Sequence, residues 1–102
     1  MENNVFLVID GQKYRMVFDK YYADKHGNEG SVSGRTGNIT IDASFIEDRQ
    51  KQTLFHEIME LINEHNELNL PHNVIQIISN AYFSHLETNG LLIKNLLKKL
   101  GG

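Results

Sequence analysis

The residues best suited to chemistry lie in one ten-residue stretch, residues 53–62. A helix over this stretch places His56 and Glu60 four residues apart, on the same side and one turn from each other. Glu57 lies about 100° further round the helix than His56. Imidazole and carboxylate groups so placed can bind a divalent cation, and Glu57 is placed to act as a general base. The pattern H-E-x-x-E therefore predicts a metal site, with a glutamate where H-E-x-x-H has its second histidine.

A third metal ligand has to come from a following element. The next predicted helix offers His72 and Gln76, one turn apart on one stripe. Counting from the turn places Gln76 level with Glu60 and His72 about 6 Å lower, at about 1.5 Å per residue. Imidazole is a good zinc ligand and an amide is a poor one. We therefore favour His72 as the third ligand and keep Gln76 as the alternative.

The same spacing also fits a helix face that only meets solvent. His56, Glu60 and Glu64 lie opposite a broad apolar sector, and three fixed positions match many chains by chance. The apolar sector comprises Leu54, Phe55, Ile58, Met59, Leu61 and Ile62. On spacing alone, a metal site and a solvent-exposed face both remain open.

Three helices are predicted to follow the strands. The first covers residues 45–65, with Ser44 or Asp42 as its N-cap. The second covers residues 71–89, and Asn89-Gly90 is expected to end it as a C-cap. The third is a short helix over residues 91–100. The predicted core face of the second helix comprises Val74, Ile75, Ile77, Ile78, Ala81, Tyr82 and Leu86.

Two β-hairpins are predicted before the helices. Residues 5–10 and 13–18 flank a break at Gly11-Gln12, and residues 31–33 and 38–42 flank a four-residue loop bounded by glycines. Residues 5–10 are apolar on both faces, which favours a central strand. Residues 38–42 alternate between apolar and polar, which is typical of a half-exposed strand and places this one at an edge.

Together these elements predict one α+β domain over residues 1–102, with a β-rich half (1–42) and a helical half (43–102). We expect a small antiparallel sheet of three to four strands, then two long helices and a short C-terminal one. The net charge of −3 and the lack of a basic cluster argue against nucleic-acid binding, and no apolar run is long enough to span a membrane. The first four residues carry no positive charge, so a secretory signal is not expected and the cytoplasm is the default location. Without cysteine, any metal must use histidine, carboxylate or amide ligands.

From Gly37 to Asn89 the chain resembles small zincin-like proteins encoded by phages and prophages. The resemblance rests on residues 38–42, on residues 52–62, on Leu70-Pro71-His72, and on residues 80–89. It implies a zincin-like fold in which His56 and Glu60 bind the metal and Glu57 is the general base. In this family a glutamate on the following helix often supplies the third ligand, and the nearest matching position here is Gln76.

Three functions follow as expectations. The first is a metal-dependent peptidase with Zn²⁺, or with Mn²⁺ or Fe²⁺, because a glutamate ligand makes the site harder than a histidine would. The second is an inactive zincin-like scaffold that binds a peptide or a host protein through its exposed strand, residues 38–42, and through the helix face that carries His56 and Glu60. The third is a structural protein without a ligand. The sequence leaves the substrate and the oligomeric state open.

Overall fold

A computed structural model describes residues 5–101 and confirms the α+β class. Its elements are, in order, β1 (Phe6–Ile9), β2 (Gln12–Asp19), α1 (Tyr22–His26), β3 (Gly30–Ser33), β4 (Asn38–Asp42), α2 (Glu47–His65) and α3 (His72–Gly101). Both hairpins form where the sequence predicts them. The expectation about a signal in residues 1–4 lies outside the described part of the chain.

The four strands form a mixed sheet, so the prediction of an antiparallel sheet is wrong. The strand order is β1-β2-β4-β3. β1 pairs antiparallel with β2, and β3 pairs antiparallel with β4, but β2 and β4 run parallel. After β2 the chain crosses through α1 and forms β3 at the far edge, and β4 then fills the space between them. Both hairpins form as predicted, but the connection through α1 decides that β2 and β4 run parallel, and neither hairpin by itself determines this.

The predicted positions of two strands within the sheet are also wrong. β1 is an edge strand, and its residues Phe6 and Val8 are exposed. β4 is central, between β2 and β3, and its residues Ile39 and Ile41 are fully buried. The apolar outer face of β1 made it resemble a central strand, and the polar residues of β4 made it resemble an edge strand. The edge strand beside the helices is β3.

The core forms between one face of the sheet and α2. Alternate residues of β2 and β4 point to this face, as the period of a strand requires. Leu61 of α2 is fully buried against them. The buried core cluster comprises Ile9, Tyr14, Met16, Ile39, Ile41 and Leu61. This packing fixes the rotation of α2, and with it the directions in which His56 and Glu57 point.

Neither predicted N-cap residue caps α2. The helix begins at Glu47 after Ile46, and no side-chain hydrogen bond caps it. The carboxylate of Asp42 instead accepts hydrogen bonds from the backbone of Tyr21, Ala23 and Ser44, at 2.8–3.0 Å. Asp42 therefore ties the end of β4 to the start of α1 rather than to α2.

α3 is one continuous helix of 30 residues, so the predicted break at Asn89-Gly90 is wrong. Its predicted core face is only partly correct. Ile75 is buried as expected, but Ile77 and Tyr82 are exposed, and Ser79 and Phe83 are buried in their place. The helix is apolar on several sides, and the position of α2 decides which side is covered. Within residues 5–101, no helix combines the length and the apolar character that crossing a membrane requires.

Candidate metal centre

His56 and Glu60 meet on α2 as their spacing predicts. The His56 Nε2 atom lies 3.2 Å from the Glu60 Oε2 atom, one helical turn away. The helix is rotated so that the His56 side chain is only 11% exposed. This burial argues against a face that only meets solvent, because a solvated histidine would be far more open.

His72 joins this pair from the first turn of α3. Its Nδ1 atom lies 2.9 Å from the same Glu60 Oε2 atom, and its ring meets that of His56 edge to face at 4.8 Å between centroids. One ligand atom from each of His56, Glu60 and His72 lies within 4.8 Å of the other two. Two helices therefore bring together two imidazoles and a carboxylate, which are ligand types that divalent transition metals accept.

Gln76, the alternative third ligand, lines the same cleft but has a different partner. Its side-chain amide donates a hydrogen bond to Asn80 Oδ1 at 3.1 Å. The turn count that placed Gln76 level with Glu60 treated the helix pair as two parallel rods. The backbone oxygen of Pro71 accepts hydrogen bonds from Val74 and Ile75, so His72 lies in the first turn of α3. From there its Nδ1 atom reaches Glu60 Oε2.

Glu57 is the buried carboxylate of the site. Its residue is 8% exposed, beside Gly30 of β3. Burial raises the pKa of Glu57 to about 7, and the nearby negative charge of Glu60 acts in the same direction. A carboxylate with a pKa near neutral can exchange a proton in both directions at physiological pH. The position of Glu57 was predictable from the sequence, but its burial depends on the approach of β3 and was not.

The electrostatics of His56 favour the neutral form that a metal ligand requires. Burial lowers the pKa of His56. The charge of Glu60 opposes this shift, and the nearby His72 adds to it. The buried Nδ1 atom of His56 has no hydrogen-bond partner among the described residues. The ring is therefore held by packing and by its contact with Glu60, and its other nitrogen has no carboxylate or carbonyl to orient it.

The cleft around these residues has a volume of about 700 Å³ and runs beside the edge strand β3. Three further lining residues were not singled out from the sequence: Glu29, Gly30 and Arg49. The guanidinium of Arg49 forms a two-pronged ion pair with the carboxylate of Glu29, and this hydrogen bonding lowers the pKa of Glu29. These residues are 20 positions apart in the sequence, and no local pattern connects them.

Comparisons with protein-family models, with curated proteins and with solved structures find no match to this chain.

Proposed function

We propose that this protein is a zincin-like, metal-dependent peptidase that binds one divalent cation through His56, Glu60 and His72. The observation that carries the proposal is the convergence of these three groups within 4.8 Å, from two different helices. Glu57 lies next to them and has the pKa that a general base needs near neutral pH. An open cleft gives a substrate access to both.

The donor set fits a divalent cation. Glu60 Oε2 lies within hydrogen-bond distance of both imidazoles, so the possible ligand atoms of the three groups lie close enough to bind one cation. The neutral state of His56 leaves a ring nitrogen available as a ligand. Three protein ligands leave further coordination positions open, as in catalytic rather than structural sites. The anionic Glu60 favours Mn²⁺ or Fe²⁺ more than a third imidazole would, while Zn²⁺ remains compatible.

The cation ligands and Glu57 have different roles in the proposed hydrolysis. A divalent cation held by this group would polarise a peptide carbonyl and acidify a water molecule. Glu57 takes the proton from that water and later donates it to the leaving amine. The negative charge of Glu60 lowers the effective positive charge at the site, so we expect slower hydrolysis than at a site of three neutral ligands.

The edge strand β3 gives the proposal a place for the substrate. Gly30, Ser31 and Val32 line the cleft beside His56 and Glu57. An extended peptide can add to such an edge through main-chain hydrogen bonds. A peptide bound there would pass the Glu57 carboxylate, which favours peptides over compact small molecules as substrates.

The same edge strand supports a second candidate function, a binding module that holds a peptide without cutting it. Main-chain pairing along β3 needs neither a cation nor a base. The two functions differ in their dependence on Glu57, since only hydrolysis requires its carboxylate. Replacement of Glu57 therefore separates them.

Metal binding is the first prediction. Protein purified without a histidine tag should bind about one equivalent of Zn²⁺ or Mn²⁺, and the melting temperature should rise because the cation binds only the folded state. His56→Ala should abolish the rise, whereas the control His85→Ala, on an exposed part of α3, should keep it. Calorimetric titrations without heat for zinc, manganese and iron would contradict the proposal.

The third ligand is tested by two variants on one stripe of α3. His72→Ala should weaken metal affinity by at least about tenfold, because it removes one of three ligands. Gln76→Ala should change the affinity little, because its amide is bonded to Asn80. The reverse order would assign the third ligand to Gln76.

A further inference from the structure

The sheet has an outer face, on the side away from α2, that carries one row of side chains across all four strands. Residues directly opposite one another on neighbouring strands point to the same face, and the buried Ile39 and its neighbours point to the other one. With strands about 4.8 Å apart, the row is roughly 14 Å long. The row comprises Phe6, Arg15, Asn38 and Ser33.

Two more residues widen this row at the side of β1. Val8 lies opposite Lys13, one step further along the same two strands. Val8 is 71% exposed and Phe6 is 44% exposed, and the Lys13 Nζ atom lies 4.4 Å from the centre of the Phe6 ring. We call the row and these two residues the outer-face patch. Within residues 5–101, α1 covers the opposite end of this face, where the Tyr22 hydroxyl lies 2.8 Å from Ser31 Oγ.

The outer-face patch is positively charged, although the chain as a whole has a net charge of −3. Lys13 and Arg15 belong to the patch, and Arg35 lies in the loop that follows Ser33 at its other end. None of these three cations forms an ion pair with another residue of the described part of the chain. The sequence shows no basic cluster because the three cations come from one strand and a distant loop, which the sheet brings to one surface.

The acidic residues of the strands and of the first hairpin turn already have partners. Asp10 lies 3.0 Å from His65, and Asp19 lies 3.4 Å from Lys25. The carboxylate of Asp42 accepts hydrogen bonds from the backbone beneath α1. None of these acids neutralises the cations of the outer-face patch, so an anionic partner can do so.

The types of residue in the patch favour a single-stranded nucleic acid as this partner. Lysine and arginine contact phosphates whatever the base sequence. An exposed aromatic ring such as Phe6 can stack on a base, and an amide such as Asn38 can bond to a base edge. Bases offer their flat faces only where they are unpaired, so a duplex would not use the ring. An acidic peptide would meet the cations but has no flat base to stack on Phe6.

We propose that the outer-face patch binds single-stranded nucleic acid, with Lys13, Arg15 and Arg35 on phosphates and Phe6 against a base. A row roughly 14 Å long contacts only a few nucleotides, so we expect a dissociation constant of about 10⁻⁵ M at physiological salt. The metal centre lies on the helices at the other side of the sheet, so this surface is independent of the proposed function.

The test is fluorescence anisotropy of labelled oligonucleotides of about ten nucleotides, one DNA and one RNA, titrated with the full chain at several salt concentrations. Three phosphate contacts predict a slope of about −2 for the logarithm of the association constant against that of the salt concentration. Lys13→Gln with Arg15→Gln should reduce this slope to about −0.7 and weaken binding at least about tenfold. Phe6→Leu keeps an apolar side chain, and it should weaken binding about 5- to 100-fold without changing the slope. The stronger of the two oligonucleotides identifies the nucleic acid.

The matched control is Lys94→Gln with Lys98→Gln, which removes the same charge from exposed positions of α3. It should keep the affinity and the slope of the wild type, and circular dichroism should show that every variant is folded. Three outcomes would overturn the proposal. The first is no binding at about 1 mM protein, and the second is an equal loss in the α3 control. The third is equally tight binding of a duplex or of poly-glutamate, which would assign the patch to anions in general.

Discussion

At the scale of single residues, the candidate site contains two glutamates of α2, three positions apart, that lie in different environments. Glu57 is buried against β3, and burial raises its pKa to about 7. Glu60 faces the cleft and contacts both His56 and His72. One carboxylate is thus placed to exchange a proton and the other to hold positive charge. Two carboxylates whose environments separate their roles are typical of catalytic acid–base chemistry.

The proposed role of Glu57 as a general base gives a prediction about catalysis. Glu57→Gln should leave the fold and the metal affinity nearly unchanged and lower any peptide hydrolysis about 10²–10⁴-fold, the usual contribution of a general base. Wild-type hydrolysis should rise with pH and level off at or below about 7, because a bound cation lowers the pKa of a neighbouring carboxyl. The measurement is cleavage of a peptide library with zinc or manganese present.

The matched control for this experiment is Glu64→Gln, an exposed glutamate on the same helix. It makes the same chemical change without reaching the cleft, so cleavage should match the wild type. Equal cleavage by the wild type and by Glu57→Gln would remove Glu57 from the mechanism. A metal-loaded wild type that cuts no peptide would leave the binding module as the better account.

At the scale of elements, local signals predicted the pieces and non-local packing decided their arrangement. The turn at Gly11 and the loop over 34–37 gave both hairpins correctly, because turn chemistry is local. The order of the strands was not predictable, since the crossing from β2 to β3 carries no signal in the residues themselves. Asn89-Gly90 predicts a helix end, yet a glycine destabilises a helix by only about 1 kcal/mol, and the leucines and lysines around Gly90 continue the helix.

The site divides in the same way. The pair His56 and Glu60 follows from helical spacing, which any helix would satisfy. The contact between His72 and Glu60 depends on how α3 packs on α2. The preference of metals for imidazole over amide ligands predicted His72, whereas the turn count favoured Gln76. The burial of Glu57 depends on β3, whose edge position was not predicted. Local sequence patterns predict each helix and strand, but they do not predict how closely these elements pack against one another.

β3 approaches α2 closely at Gly30, and this close approach gives a prediction about stability. A Cβ atom on Gly30 would lie 2.6 Å from Thr53 Cγ2 and 2.9 Å from the backbone oxygen of Thr40. Gly30→Ala must therefore displace β3 relative to α2 and to its neighbour β4, and it should cost about 1–3 kcal/mol of unfolding free energy, as overpacking does. Urea denaturation measures this loss. The displacement should also weaken the burial of Glu57.

Two further variants make this prediction specific. Gly34→Ala adds the same methyl group where no atom of residues 5–101 lies within 4 Å, and it should change stability by less than about 0.5 kcal/mol. Thr53→Ser in the Gly30→Ala background removes the nearer clash and should recover part of the loss. If Gly30→Ala and Gly34→Ala unfold at the same urea concentration as the wild type, β3 does not press on α2 as described.

At the scale of the whole molecule, the Asp42 side chain links the end of the sheet to α1 and to the turn before α2. It lies at the end of β4, just before the chain turns towards α2. One carboxylate oxygen accepts hydrogen bonds from the backbone of Tyr21 and from Ser44, and the other accepts from the backbone of Ala23. A single buried side chain therefore holds α1, β4 and the turn before α2 together.

Asp42 gives the stability of the whole domain a predictable dependence on pH. Burial alone would raise its pKa, but the hydrogen bonds from Ser44, Ala23 and Tyr21 outweigh burial and lower the pKa of Asp42 from 3.8 to about 2. Because the folded state binds the proton less tightly than the unfolded state, this stabilisation is complete above about pH 5 and is lost progressively as the pH falls towards 2. Asp42→Asn replaces one acceptor oxygen by an NH₂ group facing a backbone N–H, so the variant should unfold at lower urea concentration at pH 7. The difference in unfolding urea concentration between the variant and the wild type should narrow from pH 4 to pH 2.5, because protonation removes the same acceptor from the wild type.

Asp24→Asn, on the exposed side of α1, is the control, and it should unfold at the same urea concentration as the wild type at every pH. A gap that stays constant with pH would mean that the charge of Asp42 does not stabilise the fold.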